Sequence, residues 1–344
     1  MNRSTLALLC DPVTRAPLSL HDEVVESDGW IVAGTLRSAS GATYPIVNGI
    51  PRFVAQQALL ADVQSFGDQW NHFNFTAFRE HWTQHMVRHT FGSLEAFAGR
   101  VIVDAGGGSG AQTRWMLDAG AAHVFLLDLS DSIDDVVQRN LRDVDRSRVD
   151  VLHCSIDQPP LRPASIAGLV ICHNVIQHTP SVERTARALW SLVAPGGEFV
   201  FNCYPTNDGD PVRWVRFHLV YRPLRAVLKR QSFRVRLAYA QTMGRLRLVP
   251  GVGTFLEKAG FCVTGDVPVP AGTPAAVYRE RVSAATALNT FDGFGAHEHQ
   301  HHKSEAELRA LVTELQPDAS CVSNLERYFE RPPPIGIALR LRRS

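Results

Sequence analysis

The chain has 344 residues, with 35 Lys and Arg against 34 Asp and Glu, a formal net charge of +1. With 45% hydrophobic and 20% charged residues it reads as globular, one large domain with a small appendage, and not as a disordered chain. A near-zero total excludes attachment to nucleic acid or membrane through bulk charge alone. No apolar run approaches the roughly 18 residues of a spanning helix. The first apolar run, Leu6 to Cys10, is too short for a signal sequence. Cysteines stand at 10, 154, 172, 203, 262 and 321 with no C-x-x-C pair, which reads as reduced, buried thiols and a cytoplasmic setting.

In chain order, residues 1–54 carry short alternating stretches, Glu23–Glu26 and Trp30–Ala33, with turns at Ser27-Asp28-Gly29 and Ser40-Gly41. They predict a small β-rich module. Residues 55–98 show helical spacing with many aromatics, among them Trp70, Phe75, Trp82 and Phe97. From residue 99 strand, turn and helix alternate: strands at 101–103, 124–127, 149–152, 169–172 and 198–203, helices over 111–119, 131–141 and 181–192. That alternation predicts an α/β fold with helices on both faces of a parallel sheet. Pro211 after Asp210 opens a helical stretch, a helix follows Pro274, and Ser304 with Glu307 forms a capping box for another. Two final strands are expected near 320–325 and 335–342.

The strongest chemical signal is Val101-Ile102-Val103-Asp104-Ala105-Gly106-Gly107-Gly108-Ser109-Gly110. A strand enters a glycine turn that opens a helix, so a ligand can approach the main chain and its unsatisfied N–H groups. Asp128 ends the next strand, where a carboxylate can hold ribose hydroxyls. The spacing Gly106-x-Gly108-x-x-Ala111 also fits a dinucleotide fingerprint. Asp104, an acid at a buried strand end, favours a ligand that brings an amino group over a pyrophosphate.

These stretches resemble the class I S-adenosylmethionine-dependent methyltransferases over about residues 100–204. Asp104–Gly110 resembles the family's first motif, Leu127-Asp128-Leu129-Ser130 its second, and Cys154-Ser155-Ile156-Asp157 its third, with Cys-Ser where Gly-Asp is common. Asn174–Pro180 and Leu192–Gly197 resemble the exit of strand four and the turn before strand five. The resemblance implies a Rossmann-like sheet of seven strands ending in an antiparallel pair. It implies S-adenosylmethionine as cofactor, with Asp104, Gly106, Gly108 and Gly110 near its amino acid part. Asp128 would hold the ribose, and Leu129, Ser155 and Ile156 would stand around the adenine. Cys10–Thr14 and Tyr44–Phe53 resemble the Trm112-like zinc-ribbon module that precedes such domains. One cysteine cannot make a structural zinc site, so no zinc and no other metal is expected. Phe66–Trp70 resembles a segment ahead of the catalytic domain, a lid candidate. The resulting division is a module at 1–54, a helical lid or linker at 55–98, and a methyltransferase domain at 99–344.

Residues 211–256 hold nine Arg, Lys229 and no acid, so they contribute 10 − 0 = +10 and the remainder 25 − 34 = −9. Three readings of this helical insertion after strand five stand open: a cap for an anionic small-molecule acceptor, a surface for an acidic partner or peripheral membrane contact, and a face paired with the acidic body. Nucleic acid is not favoured, since no RNA-binding motif is present. Arg222 and Arg225, at helical spacing, and Tyr204, just past strand five, are the substrate-binding candidates. His173, past strand four, and His297, in the cluster His297, His299, His301 and His302, are the catalytic candidates, since imidazole titrates near neutrality. The expected function is methyl transfer to an O, N or C atom of a small molecule. A nicotinamide-dependent oxidoreductase and a non-catalytic adaptor of the same fold are its rivals.

Overall fold

The computed structural model describes residues 1–54, 67, 69–73, 75–206, 210–264, 272–295, 297–315, 323–330 and 333–344. The chain begins with an antiparallel meander: β1 (Leu18–Val25), β2 (Ile31–Ser38), β3 (Thr43–Val47) and β4 (Ile50–Pro51). Turns at 27–29 and 39–42 join its first three strands, with Gly29 and Gly41 at φ +85° and +90°.

The main sheet is built from β5 (Val101–Ala105), β6 (His123–Asp128), β7 (Val149–His153), β8 (Leu169–Cys172) and β9 (Glu198–Phe201). Short strands β10 (Tyr204–Pro205) and β11 (His302–Lys303) pair beside it, and β12 (Leu339–Arg342) closes it. The order is β7-β6-β5-β8-β9-β12; the first five run parallel and β12 is antiparallel to β9. The sequence predicts seven strands, and the described residues give six. The strand expected near 320–325 lies largely outside the described residues, and Leu325–Tyr328 forms a short helix.

Strand residues alternate between the two faces. Ile102, Val124 and Leu126 meet Ala111, Trp115, Ile133 and Val137 from the helices Ala111–Asp118 and Ser132–Leu141. Val103, Phe125 and Leu127 share the other core with Val182 and Leu189 of the helix Val182–Leu192, with Leu308 and Leu311 of Glu305–Leu315, and with Leu9, Ile31, Leu36 and Ile46 of the N-terminal module. The module is thus seated on the sheet. Asn2 N donates to Asp150 at 2.8 Å, Cys10 N to the Pro160 carbonyl at 2.9 Å, and Phe53 N to the His153 carbonyl at 2.8 Å.

Inside the module, the turn after Cys10 and the serines Ser38 and Ser40 converge on Asp11. Its Oδ1 accepts from Val13 N and Thr14 N at 2.9 Å each, and Ser40 Oγ donates to Oδ2 at 3.1 Å. These bonds hold the Asp11 carboxyl well below the usual carboxylate range despite partial burial. The five described cysteines are free and buried.

The insertion after β9 forms the helices Pro211–Arg216, Arg222–Leu228, Phe233–Leu246 and Val252–Ala259, with a wider turn over Phe217–Tyr221. Asp210 caps the first, its side chain accepting from Arg213 N at 3.0 Å. The long helix Ala275–Gly295 packs along Phe233–Leu246. The capping box at Ser304 is formed, Ser304 N donating to Glu307 at 2.8 Å and Glu307 N to Ser304 Oγ at 3.3 Å. No helix of the described residues is long and apolar enough to cross a membrane.

Candidate active site

One cavity of about 1010 Å³ opens over the carboxyl ends of β5, β6 and β8, with the insertion as its roof. Open parallel sheets place ligand sites at this edge. Its first lobe lies at the glycine loop. Gly106, Gly108 and Gly110 sit at φ +85°, +53° and +74°, a region that side chains seldom enter. A Cβ on Gly106 would come within 2.5 Å of Val175 Cγ1, and one on Gly108 within 2.7 Å of the Trp70 ring.

Asp128 fixes this loop. Its Oδ2 accepts from Gly108 N at 2.8 Å, and its Oδ1 from Ser130 N at 2.8 Å and Ser130 Oγ at 2.6 Å. Ser132 Oγ bonds Ser130 Oγ at 2.7 Å and donates to the Gly108 carbonyl at 2.9 Å. A carboxylate offers about four lone-pair positions. Three are taken, which leaves acceptor capacity on a residue that lines the cavity. Leu129, Ser155 and Ile156 line it as well; Ser155 Oγ is turned onto Asp157 Oδ1 at 2.5 Å.

Asp104 lies beneath the loop and is not in the cavity wall. Thr113 Oγ1 donates to its Oδ2 at 2.6 Å, and burial pushes its carboxyl up to about 6. The partner expected from a ligand amino group is supplied, at least in part, by Thr113. Trp70, packed on Phe75 at 4.2 Å between ring centroids, covers the outer side of the loop at Gly108. Phe66 and Asp68 of the expected lid segment lie outside the described residues.

The second lobe is polar at its floor and aromatic around it. His178 ends the turn after β8. Its Nδ1 is 3.1 Å from the His299 carbonyl, which can only accept, so Nδ1 carries the proton and Nε2 keeps its lone pair. Nε2 lies 3.5 Å from Tyr204 Oη, which donates to Asp292 Oδ2 at 3.3 Å. Asp292 Oδ1 also accepts from Gln69 Nε2 at 3.1 Å and from His297 Nε2 at 2.9 Å. Burial pushes His178 down to about 3, with His297 adding to the shift. Asp292 is held below the usual carboxylate range by its bonds to His297 and Gln69, which outweigh its burial. Burial likewise lowers His297. The resting cluster is therefore an ionised carboxylate among neutral imidazoles.

Of the two catalytic candidates from the sequence, His173 lines the cavity with both ring nitrogens lacking a hydrogen-bond partner among the described residues, and burial pushes it down to about 4. His297 is 2% exposed and stands behind Asp292, not in the cavity wall. Tyr204 lines the cavity, whereas Arg222 and Arg225 do not. Arg225 is buried with its guanidinium committed to Gln300 Oε1 at 2.8 Å and the His297 carbonyl at 2.5 Å, and Arg222 is exposed beside His218. The pair at helical spacing thus serves structure and surface. The residues that sequence reasoning passed over as site candidates are His178 and Asp292.

Residues 103–201 match a family model described as a methyltransferase domain. The chain contains an S-adenosylmethionine-dependent methyltransferase domain. A curated ubiquinone biosynthesis O-methyltransferase of Aromatoleum aromaticum is 32% identical over 110 residues, 32% of this chain and 46% of that protein, so the chain spans under half the length of the curated relative it matches. A solved S-adenosylmethionine-dependent methyltransferase of Mesorhizobium loti is 28% identical at a TM-score of 0.28, over 31% of this chain and 47% of that one. A magnesium protoporphyrin IX methyltransferase of Synechocystis with bound S-adenosylhomocysteine is 20% identical at a TM-score of 0.30, over 36% and 55%.

The loop of the methyltransferase domain fits its cofactor, S-adenosylmethionine. Gly106, Gly107 and Ser109 line the cavity, which opens the loop there to an amino acid moiety, and Asp128 retains acceptor capacity for a ribose diol. His178, Asp292 and His297 present ligand atoms within 4.8 Å of one another, a set that could hold a metal ion. The Asp292 carboxylate is, however, already met by three donors of the chain itself.

Proposed function

We propose that the whole chain is a methyltransferase that carries a methyl group from S-adenosylmethionine to an oxygen of a small, largely apolar acceptor. One observation carries this reading: a single cavity joins the glycine loop to the cluster of His178, Tyr204 and Asp292. The curated relative's printed role as an O-methyltransferase agrees with it.

The cofactor supplies a methyl group activated on a sulfonium, so the chain's task is to position the acceptor and take up its proton. The segment after β8 links the two ends. Val175 packs on Gly106, and His178, three residues on, offers Nε2 to the acceptor lobe. An acceptor hydroxyl would hydrogen-bond to His178 Nε2 or Asp292 in place of Tyr204, and the ionised Asp292 stabilises the imidazolium that forms. Asp292 is held in orientation by Gln69 and His297, which act as positioning residues.

Among the charged residues of the cavity wall, Arg216 faces Asp128, Glu257, Asp292 and Glu298. That balance supports a neutral acceptor over an anionic one. Trp70 would close over the bound cofactor, and residues 1–54 would be a Trm112-like module whose Asp11 bonds stand where metal ligands would be. No metal is assigned a role.

Calorimetry with S-adenosylhomocysteine tests the reading. The wild-type protein should bind, and Asp128→Ala should weaken binding by about 2–4 kcal/mol, as loss of charge-assisted bonds to two hydroxyls requires. Unchanged affinity would remove Asp128 from the site. Failure to bind, with NADH raising the melting temperature instead, would give the site to a dehydrogenase.

A further inference from the structure

The ten basic residues of 211–256 divide by what they touch. Arg216, Arg225 and Arg236 are turned inward on carbonyl or amide oxygens: the Glu257 carbonyl, the His297 carbonyl with Gln300, and the Gly295 carbonyl. Arg213 and Arg247 pair with Asp210 and Glu257. Arg222, Lys229, Arg230, Arg234 and Arg245 are exposed and have no ion-pair partner among the described residues. The acidic body therefore leaves half of the segment's cations unpaired, and among the described basic residues of the segment Arg216 lines the cavity.

The same segment also exposes apolar side chains. Of sixteen large hydrophobic residues exposed among the described residues, nine fall in 211–256. Val212, Val215 and Leu219 recur at helical spacing, with Leu219 66% exposed, and the same helical stretch exposes Trp214, which packs on His218. Phe255, 63% exposed, is on the helix Val252–Ala259, which Arg216 ties to the first helix through the Glu257 carbonyl. Exposed aliphatic side chains gain nothing from a nucleic-acid backbone. A segment that combines unpaired cations with exposed aliphatic side chains and an indole has the composition of one that lies at a lipid interface.

We propose that the cap formed by 211–256 docks the protein on an anionic lipid surface, with Trp214, Leu219 and Phe255 entering the headgroup boundary and Lys229, Arg230, Arg234 and Arg245 held by lipid phosphates. The inference does not depend on the acceptor. It does place the roof of the cavity at the membrane, which suits a largely apolar substrate.

Co-sedimentation of the full chain with vesicles tests this. Vesicles of phosphatidylcholine mixed with phosphatidylglycerol should bind it, vesicles of phosphatidylcholine alone should not, and added salt should weaken the binding. Lys229→Gln/Arg230→Gln/Arg234→Gln/Arg245→Gln should lower vesicle affinity about a hundredfold or more, from about fivefold per cation near such a surface. Leu219→Ser/Phe255→Ser should abolish the blue shift of tryptophan fluorescence on vesicles. Both variants should keep wild-type affinity for S-adenosylhomocysteine, which separates loss of docking from loss of fold or of the cofactor site. Equal binding to both vesicle types, or binding that survives the charge variant, would overturn the proposal. So would absence of vesicle binding with retention on an immobilised acidic polypeptide, which would assign the face to a protein partner.

Discussion

Val175 lies directly on Gly106: a Cβ at the glycine would come within 2.5 Å of its Cγ1 and 2.7 Å of its Cγ2. The contact couples the cofactor loop to the segment that carries His178. Gly106→Ala should therefore do two things at once. It strains a backbone at φ +85° and pushes the 173–178 segment away. Affinity for S-adenosylhomocysteine should fall at least about tenfold, or about 1.4 kcal/mol, while the far-ultraviolet dichroism stays native. Unchanged affinity in calorimetry would show that the loop yields at no cost.

The acceptor cluster separates by role. His178→Asn and Asp292→Asn should lower kcat about 10²- to 10⁴-fold, the range of a lost general base and its electrostatic support, with cofactor affinity kept. His297→Asn should cost less and move the pH profile, because it orients Asp292 and does not line the cavity. Chelation should leave all of these values unchanged. A metal-dependent loss of activity would instead assign the cluster to a cation.

Stability should fall in mild acid. Burial holds His173 at about 4, His178 at about 3 and His302 at about 4, against about 6.5 in an unfolded chain. Between about pH 6 and pH 4 the unfolded chain binds protons that the folded one refuses, so their contribution is complete above pH 6.5 and is lost as the pH falls. Asp104, raised to about 6, works in the opposite direction over part of that window. Three groups against one leave a slope of about 2–3 kcal/mol per pH unit at most. Urea titrations at a series of pH values would show it; a flat profile would mean that these rings hydrate freely.

Asp150 secures the front of the molecule. Asn2 N and Nδ2 donate to it at 2.8 and 3.1 Å, Thr5 Oγ1 donates to it, and His123 Nε2 lies 3.2 Å away. Asp150→Ala leaves those donors unmatched and should cost about 2–4 kcal/mol in unfolding free energy. Calorimetric melting is the measure, and a shift near zero would show that water replaces the carboxylate.

The core of the fold was legible because its signals are local. A glycine turn after Val101–Val103, an acid at Asp128, and a proline-glycine turn at 195–197 each follow from the backbone conformation or strand end they serve. The loop and the acid that line the first lobe of the cavity came with them. The second lobe did not, since it is made by the meeting of distant pieces: Gln69, His178 and Tyr204 converge on Asp292 only once the helix Ala275–Gly295 has docked. No spacing rule connects them. Arg222 and Arg225 misled for a related reason. Helical spacing says that they share a side of a helix, and cannot say that Arg225 is buried on the His297 carbonyl.

The core that Leu9, Ile31, Leu36 and Ile46 share with Val103, Phe125 and Leu127 has a consequence for how the protein can be cut and recombined. Residues 1–54 look like a detachable cassette in the linear chain. Their apolar side chains pack on one another and on a face of the central sheet that the helices Val182–Leu192 and Glu305–Leu315 also cover, while Ile50 reaches the core on the other side. A truncated catalytic domain would expose the part of that face which Leu9, Ile31, Leu36 and Ile46 cover, so removing residues 1–54 should also lower the stability of the strands beneath the cavity.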